Sequence, residues 1–355
     1  MPHTAPPADR PADPADRSAR PAEAADGSGR SAGPAGSPDR SSAPAGRSAR
    51  CAEAADGSGR PAGSAGQAGR STEPADRPGR PSAPAGRADR HPEPADRSGR
   101  SGEPGHRPTV LVTGSSSGIG RAVALRFARA GYDVTINYSR SKDRAERTLE
   151  ELRAFGGEHR AVCADVADDD AVRALVARAV EATGRLDVLV NNAGTTSATP
   201  PADLDGIDLA DWDRVMATNV RGLVQVTRAA APALRRAGGA VVNVASIVGL
   251  RPGPQPLVYA ASKAAVVNLT RTLSAVLAPE VRVNAVAPGW IAGEWMRRTL
   301  GDAYDDLMAR RARRTPLGRN VTEEDVAESV YALAVSHPFV TGEVVVIDGG
   351  YTATT

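Results

Sequence analysis

Residues Val110 to Gly120 read VLVTGSSSGIG, and this stretch decides the fold. Its first four residues are apolar or β-branched, which is typical of a strand buried on both faces of a parallel sheet. A glycine-rich turn follows, and the amphipathic run from Arg121 to Ala130 then ends at Gly131, the usual residue just past a helix. Such a unit binds phosphate, because glycine lets a pyrophosphate approach the backbone and the helix N-terminus offers free N–H groups. An ordinary tight turn is the alternative, because the glycine spacing differs from G-x-G-x-x-G.

The first 107 residues differ in composition from all that follows. Between Pro2 and Pro108 the chain has no Val, Ile, Leu, Met, Phe, Tyr or Trp, and an arginine stands at every tenth position from Arg10 to Arg100. Without large apolar side chains to bury, this segment cannot offset the entropy lost on ordering its backbone. We therefore predict a disordered low-complexity tail over residues 1–107 and a folded domain over residues 108–355. Two interpretations of the tail stay open: a solvated arm, or upstream sequence translated from an early start site.

The folded segment is formally neutral. The tail contains 16 of the 44 basic residues and 14 of the 42 acidic residues, which leaves 28 of each in the folded segment. This balance gives no reason to expect nucleic acid or an acidic membrane surface as a partner. No apolar run approaches the length of a membrane span. The histidines have no metal-ligand spacing, and the two cysteines, Cys51 and Cys163, make no disulfide framework. We expect a cytoplasmic protein without a bound metal.

Strand and helix patterns alternate through the folded segment. Apolar runs predict strands at 110–113, 133–138, 160–166, 186–190, 240–246, 281–286 and 344–347. Amphipathic runs predict helices at 121–130, 144–155, 168–183, 212–230, 258–277 and 322–334. Unbroken alternation is typical of a doubly wound parallel sheet. The predicted fold class is therefore α/β, with a single Rossmann-type domain built on a seven-stranded parallel sheet.

The ends of the second and third predicted strands would face the adenosine of a dinucleotide. An acid at the end of the second strand would select NAD by bonding the ribose 2′-OH. Here no acid stands at the strand end. Asn137, Tyr138 and Ser139 lead instead to Arg140 and then to Lys142. Cations at this place suit a 2′-phosphate, and hence NADP, although a solvated loop would have the same composition. The third strand ends at Asp165–Val166, where the acid could bond the adenine amino group.

Tyr259 and Lys263 are four residues apart on one predicted helix, so their side chains share a face. A tyrosine hydroxyl titrates near pH ~10, and a neighbouring ammonium favours the phenolate and lowers that pKa. Ser246, at the end of the fifth predicted strand, could hydrogen-bond a reacting oxygen. Each residue also has an ordinary structural interpretation: a packed ring, a snorkelling lysine and a serine that caps a turn.

The order of the motifs is more specific than any one of them. Thr113 to Gly120 is followed by NNAG at Asn191 to Gly194, then by Asn219, Ser246, YAASK at Tyr259 to Lys263, and Pro288–Gly289. With Ser246 placed 13 residues before Tyr259, the chain resembles the short-chain dehydrogenase/reductase family over essentially all of residues 108–355. Its NYSRS strand end and DGGYT terminus resemble the 3-oxoacyl-(acyl-carrier-protein) reductases in particular.

The resemblance implies a role for each motif. Tyr259 would be the catalytic acid–base, Ser246 would polarise the substrate carbonyl, and Lys263 would hold the nicotinamide ribose and lower the tyrosine pKa. Asn219 would hold a water that relays protons through Lys263. The glycine-rich turn, the strand ends and the resemblance together give the expected cofactor-binding residues: Gly114, Ser115, Ser116, Ser117, Gly118, Ile119, Gly120, Asn137, Ser139, Arg140, Asp165, Val166, Asn192, Ala193, Gly194, Tyr259, Lys263, Pro288, Gly289 and Ile291.

The implied activity is the NAD(P)(H)-dependent reduction of a ketone or 3-oxoacyl group to a secondary alcohol. NADP is the expected cofactor and NAD the alternative, and the substrate would be a small-molecule or acyl-carrier-linked ketone. An alcohol, sugar or steroid dehydrogenase of the same family, or a non-catalytic protein that senses the cofactor, are the other possibilities. The resemblance also implies a homotetramer. One residue departs from the family pattern Pro-Gly-x-Ile-x-Thr, because Gly293 stands at the threonine position.

Overall fold

The computed structural model of the chain describes residues 107–181 and 183–354, without the side chains of 298–300. The predicted disordered tail, apart from Arg107, lies outside these residues. Within the described part the strands are β1 Thr109–Val112, β2 Asp133–Tyr138, β3 Arg160–Cys163, β4 Val188–Asn191, β5 Ala240–Val244, β6 Arg282–Pro288 and β7 Val344–Ile347. They form one parallel sheet in the order β3-β2-β1-β4-β5-β6-β7. The predicted α/β fold with a seven-stranded parallel sheet is confirmed.

Helices connect the strands. In the described part they are α1 Gly118–Arg129, α2 Lys142–Arg153, α3 Asp169–Val180, α4 Leu209–Met216, α5 Gly222–Ala237, α6 Leu257–Leu277, α7 Glu294–Leu300, α8 Tyr304–Arg314 and α9 Glu323–Tyr331. None of them combines the length and the apolar character that crossing a membrane requires. The single helix predicted over 212–230 is instead two helices, because a π-helical turn at Ala217–Arg221 joins α4 to α5. Such wide turns occur frequently at functional sites.

The two faces of the sheet bury separate sets of apolar side chains. Val110 and Val112 of β1 pack in one cluster with Phe127 of α1, whereas Leu111 between them packs in another cluster with Leu175 of α3. All five side chains are fully buried. Alternate residues of a strand point to opposite faces, so helices cover β1 on both sides. This arrangement makes the domain doubly wound.

The order of the strands places a crevice beside β1. The chain runs outward from β1 through β2 to β3 in one direction, and from β4 to β7 in the other. In open parallel sheets, ligands bind at such a switch point, outside the carboxyl ends of the strands. β3 and β5 end well before the sequence predicts, since β3 stops at Cys163 and β5 at Val244. Asp165 and Ser246 therefore lie in the loops that border the crevice.

Candidate active site

A cleft of about 890 Å³ opens at the carboxyl edge of the sheet. Most of the predicted site residues line it, from both sides of the switch point. They are Gly114, Ser116, Ser117, Gly118, Ile119, Asn137, Ser139, Arg140, Asp165, Val166, Asn192, Ala193, Gly194, Ser246, Tyr259, Lys263, Pro288, Gly289 and Ile291. Ser115, Gly120 and Asn219 are not part of the lining. These three lie just behind it.

Ser115 and Gly120 shape the glycine-rich loop from within. The Ser115 hydroxyl is buried, donates to the Val112 carbonyl at 2.7 Å and accepts from the Asn137 N–H at 3.0 Å. A Cβ on Gly120 would lie 2.6 Å from the Gly114 carbonyl oxygen and 2.5 Å from Nδ2 of Asn192. There is no space for a side chain at this position. These two residues hold the loop against the end of β1 and leave the N-terminus of α1 open to the cleft.

The asparagines of the NNAG motif tie neighbouring strand ends together. Nδ2 of Asn192 donates to the carbonyl oxygens of Thr113 and Gly114, both at 2.9 Å. Oγ1 of Thr113 in turn accepts from the backbone N–H groups of Asn192 and Ala193 at 3.0 Å. On the other side of the loop, Oδ1 of Asn137 accepts from the Gly114 N–H at 3.2 Å. The loop is thus fixed by both adjacent strands, and a dinucleotide would meet a preorganised backbone.

Three of the four predicted catalytic residues meet deep in the cleft. Tyr259 and Lys263 lie on α6, and Ser246 follows β5. The hydroxyls of Ser246 and Tyr259 face one another closely enough for Ser246 to lower the pKa of the Tyr259 phenol. Nζ of Lys263 donates to the Val244 carbonyl at 2.7 Å and lies 5.7 Å from the centroid of the Tyr259 ring. A hydroxyl pair and a buried ammonium therefore face the same space.

Burial controls the protonation of this group. It raises the pKa of Tyr259 to about 12, and Ser246 acts in the opposite direction. Burial lowers the pKa of Lys263 to about 8. From the sequence, Lys263 is expected to lower the pKa of Tyr259. The structure differs, because desolvation of the phenol is the largest influence on this pKa and raises it. At neutral pH the tyrosine therefore keeps its proton and the lysine is mostly charged.

Asn219 lies in the π-helical turn and is buried. Its Nδ2 donates to Oγ of Ser262 and to the Thr195 carbonyl, both at 2.9 Å, and its Oδ1 accepts from the Thr195 N–H at 2.8 Å. A small cavity of about 10 Å³ is lined by Asn219, Lys263 and Val244, among others. That volume is close to the minimum for one water molecule. Asn219 and Lys263 therefore face the same small cavity, and these two described side chains have no direct hydrogen bond to each other.

The end of the cleft near β2 is more basic than the sequence suggested. Arg140 is exposed and lines this end as predicted, whereas Lys142 is not part of the lining and pairs with Glu146 at 3.9 Å. Sequence reasoning missed Arg144 and Arg147, which both line the cleft from α2. Their spacing of three residues on an amphipathic helix was the available signal, since it places them on one face.

The opposite end of the cleft is aromatic. The Trp295 ring, 41% exposed, lies with its centroid 6.1 Å from that of Tyr259. Trp290 and Met296 extend the same wall. Arg311 of α8 stacks on Trp290, with its guanidinium carbon 4.4 Å from the ring centroid. The phenol of Tyr259 therefore faces a partly apolar space in which an organic substrate can lie.

Comparison with known proteins agrees with this geometry. A family model described as "Enoyl-(Acyl carrier protein) reductase" matches residues 114–352. Over 244 residues the chain is 45% identical to "Granaticin polyketide synthase putative ketoacyl reductase 2" of Streptomyces violaceoruber, covering 68% of this chain and 95% of that protein. It is 39% identical over 246 residues to 3-oxoacyl-[acyl-carrier-protein] reductase FabG of Staphylococcus aureus, covering 68% of this chain and 97% of that protein.

A solved structure of a ketoreductase is also similar to this chain. A variant of actinorhodin polyketide ketoreductase, crystallised with NADPH, superposes with a TM-score of 0.64 and 33% identity, over 69% of this chain and 97% of that chain. The chain therefore belongs to the short-chain dehydrogenase/reductase family. Within that family its similarity is to the 3-oxoacyl-(acyl-carrier-protein) and polyketide ketoreductases, so it is an oxidoreductase that uses a nicotinamide cofactor.

Proposed function

We propose that the chain reduces a ketone or 3-oxoacyl group to a secondary alcohol with NADPH. The observation that carries this proposal is the pair of hydroxyls from Ser246 and Tyr259, placed beside the buried Lys263 and next to an aromatic wall. The three relatives described above are named as reductases of ketoacyl or polyketide substrates, which supports the same reaction.

The protein supplies the proton in this reaction. The reduced nicotinamide supplies a hydride to the carbonyl carbon when it is bound. Tyr259, whose burial raises its pKa to about 12, stays protonated at neutral pH and donates its proton to the carbonyl oxygen. The Ser246 hydroxyl hydrogen-bonds the same oxygen and orients the carbonyl. Hydrogen bonds to the oxygen strengthen as negative charge develops on it, so they lower the barrier.

Lys263 and Asn219 would return a proton to the tyrosine. The Lys263 ammonium has one hydrogen bond among the described residues, to the Val244 carbonyl, so it retains donors for a ribose hydroxyl and for a water. The cavity between Asn219 and Lys263 has room for one water, which supports the proposed relay. Its volume of about 10 Å³ is too small for anything larger.

NADP is the proposed cofactor. Gly114 has a φ of +61°, which glycine adopts readily because it has no Cβ. A Cβ at this position would lie 2.8 Å from Cα of Ala193. Without it, the backbone of the loop stays accessible to a pyrophosphate. Arg140, Arg144 and Arg147 line the β2 end of the cleft, where this proposal puts the 2′-phosphate. Guanidinium groups bind phosphate well because their forked donors match its oxygens. NAD is the alternative, with these arginines as surface residues.

The chain should bind NADPH more tightly than NADH, and Arg140→Ala should reduce that preference. Removing one guanidinium–phosphate pair costs on the order of tenfold in affinity. The matched control is Lys142→Ala, which removes a nearby cation that pairs with Glu146 outside the cleft. Dissociation constants for both cofactors come from fluorescence titration. Equal affinities of the parent for NADPH and NADH would exclude the NADP assignment.

The proposed reaction is tested by following NADPH consumption with 3-oxoacyl thioesters and with small hydrophobic ketones. Turnover of a 3-oxoacyl thioester is the expected result, and the product should be the 3-hydroxyacyl compound. Cofactor binding without turnover on any ketone, or oxidation of alcohols and sugars alone, would contradict the proposal. The first of these outcomes would favour a cofactor sensor, and the second a dehydrogenase of the same family.

Residues 108–355 are the proposed catalytic unit. Arg107 marks its start, since Nε of Arg107 donates to the Gly131 carbonyl at 2.9 Å and lies 3.4 Å from the Asp133 carboxylate. We expect a chain that starts at Arg107 to turn over within about twofold of the full chain, because the first 106 residues offer almost no apolar surface to bury. Limited trypsin digestion should stop at a stable core beginning near Ser101, because trypsin cleaves after Arg100 but not between Arg107 and Pro108. A tenfold loss of rate in the shortened chain would refute a dispensable tail.

A cytoplasmic homotetramer is the proposed assembly. The helices that carry Asn219 and Tyr259 would pack between subunits. Exposed apolar residues on α5 and α6 support such packing: Val224 is 37%, Leu257 44% and Val276 60% exposed in the single chain. The mass of the purified protein in solution is the direct measurement. A cytoplasmic location is part of the same proposal.

A further inference from the structure

A partly buried carboxylate lies against the glycine-rich loop. Glu323 is the first residue of α9, which packs along α1, so the N-terminal ends of these two helices lie together. Oε1 of Glu323 is 3.7 Å from the position that a Cβ on Gly118 would take. Gly118 is the first residue of α1 and Glu323 itself lines the cleft. The carboxylate is therefore next to the helix end that would bind a pyrophosphate.

A second segment meets the carboxylate from the other side. Gly293 follows the strand end Pro288–Gly289 and also lines the cleft. A Cβ on Gly293 would lie only 2.9 Å from Oε1 of Glu323, so the absence of a side chain there leaves the space that the carboxylate uses. Glu323 thus lies between the loop that begins α1 and the segment that leads into α7. A dinucleotide in this cleft would pass between the same two segments.

The charge of Glu323 has no direct partner among the described residues. Four charged groups act on it or stand beside it: Arg121 from α1, Glu294 from α7, and Glu324 and Asp325 from α9. Arg121 is held by Glu151, to which its Nε donates at 3.1 Å, and Asp325 is held by Arg319. Burial raises the pKa of Glu323, Glu324 and Glu294 act in the same direction, and Arg121 opposes them. The carboxylate therefore lies at the anion site without an ion-pair partner among the described residues, stabilised only by the first turn of α9 and by the more distant Arg121.

We propose that the Glu323 carboxylate faces the pyrophosphate of the bound dinucleotide and weakens cofactor binding when it is ionised, so that binding takes up a proton. This inference rests on the proposed function, because it requires a dinucleotide in the cleft. The physical reason is competition between two anions. The positive end of α1 attracts both the pyrophosphate and the carboxylate, and the two anions repel each other across a short distance. Protonation of Glu323 removes the repulsion and leaves the helix end to the pyrophosphate.

The test compares Glu323→Gln with the parent across pH 5.5 to 8.5. NADH and ADP-ribose are the probes, because both have the pyrophosphate and neither has a titrating 2′-phosphate. In the parent, a rising pH ionises Glu323 and the dissociation constant should increase. Lys263 titrates in both proteins, so the readout is the ratio of the parent dissociation constant to that of Glu323→Gln. This ratio should increase with pH and be on the order of tenfold at pH 8. Glu324→Gln, which removes the exposed neighbouring acid, is the matched control. It should bind as weakly as the parent at pH 8, and its affinity should change at a lower pH, because Glu324 raises the pKa of Glu323.

The outcomes separate this inference from the proposed function. Identical affinities and pH dependence in the parent and Glu323→Gln, or weaker binding by the variant, would overturn the role of Glu323 while leaving the cofactor site intact. Failure of the parent to bind any nicotinamide dinucleotide would overturn both. Thermal melting first verifies that the variant folds. Glu323→Asp, which withdraws the carboxylate by one methylene, is the second variant and should bind both probes more tightly than the parent at pH 8.

Discussion

Tyr259→Phe should abolish ketone reduction while leaving the fold and cofactor binding intact. The substitution removes one oxygen atom, and that oxygen is the only one in the Ser246–Tyr259 pair that the proposed reaction uses as a proton donor. Loss of a general acid lowers a rate by about 10²- to 10⁴-fold, and here we expect at least 10³-fold in kcat, since the proposed reaction uses no other side chain as the acid. The measurements are kcat and KM for NADPH-dependent reduction and the dissociation constant for NADPH.

Tyr304→Phe is the matched control. Tyr304 is a buried tyrosine on α8, in a cluster with Met296 and Met308, and it is not part of the cleft lining. Losing its hydroxyl should change kcat by less than about twofold, because surface and core changes away from the reacting atoms act on stability. If Tyr259→Phe retained a rate within tenfold of the parent, the tyrosine would not be the proton donor. Ser246 would then be the next residue to test.

Local patterns of apolar and polar residues in the sequence predicted the fold. Runs of buried residues such as Val110 to Val112, separated by helical periodicity, are local properties of a sequence, and they were sufficient for seven parallel strands and a doubly wound sheet. The same local signals identified the strand ends, where functional residues of such sheets lie. The family resemblance then ordered these residues into one site, and most of them line one cleft.

What the sequence did not predict depends on contacts between distant segments. The π-helical turn at Ala217–Arg221 has no periodicity of its own, and Asn219 within it bonds to Thr195 and Ser262 from other parts of the chain. The sign of the Tyr259 pKa shift depends on how deeply the phenol is buried, which spacing alone does not give. Glu323 lies 205 positions after Gly118 in the sequence, so nothing local indicated that they meet.

Gly120→Ala should eliminate cofactor binding, with a loss of affinity for NADPH of at least about 100-fold. The added methyl group would lie 2.6 Å from the Gly114 carbonyl oxygen and 2.8 Å from Cα of Ser115. Both are backbone atoms, so the loop must shift, and the bonds from Asn192 to Thr113 and Gly114 oppose that shift. Overpacking of this kind lowers the free energy of unfolding by about 1–3 kcal/mol. Binding is lost in addition because the N–H groups at the start of α1 no longer converge on the pyrophosphate.

Gly318→Ala is the control that separates the loss of stability from the loss of cofactor binding. Gly318 has φ +73° and no atom within 4 Å of its missing Cβ, so alanine there meets backbone strain without a clash. That strain lowers the free energy of unfolding by about 1–2 kcal/mol, close to the loss at Gly120. Gly318 is outside the cleft lining, so its variant should keep the affinity of the parent for NADPH. Urea unfolding and NADPH titration of both variants give the comparison. If Gly120→Ala lost stability but bound NADPH within threefold of the parent, the glycine-rich loop would not be the part of the cleft that holds the pyrophosphate.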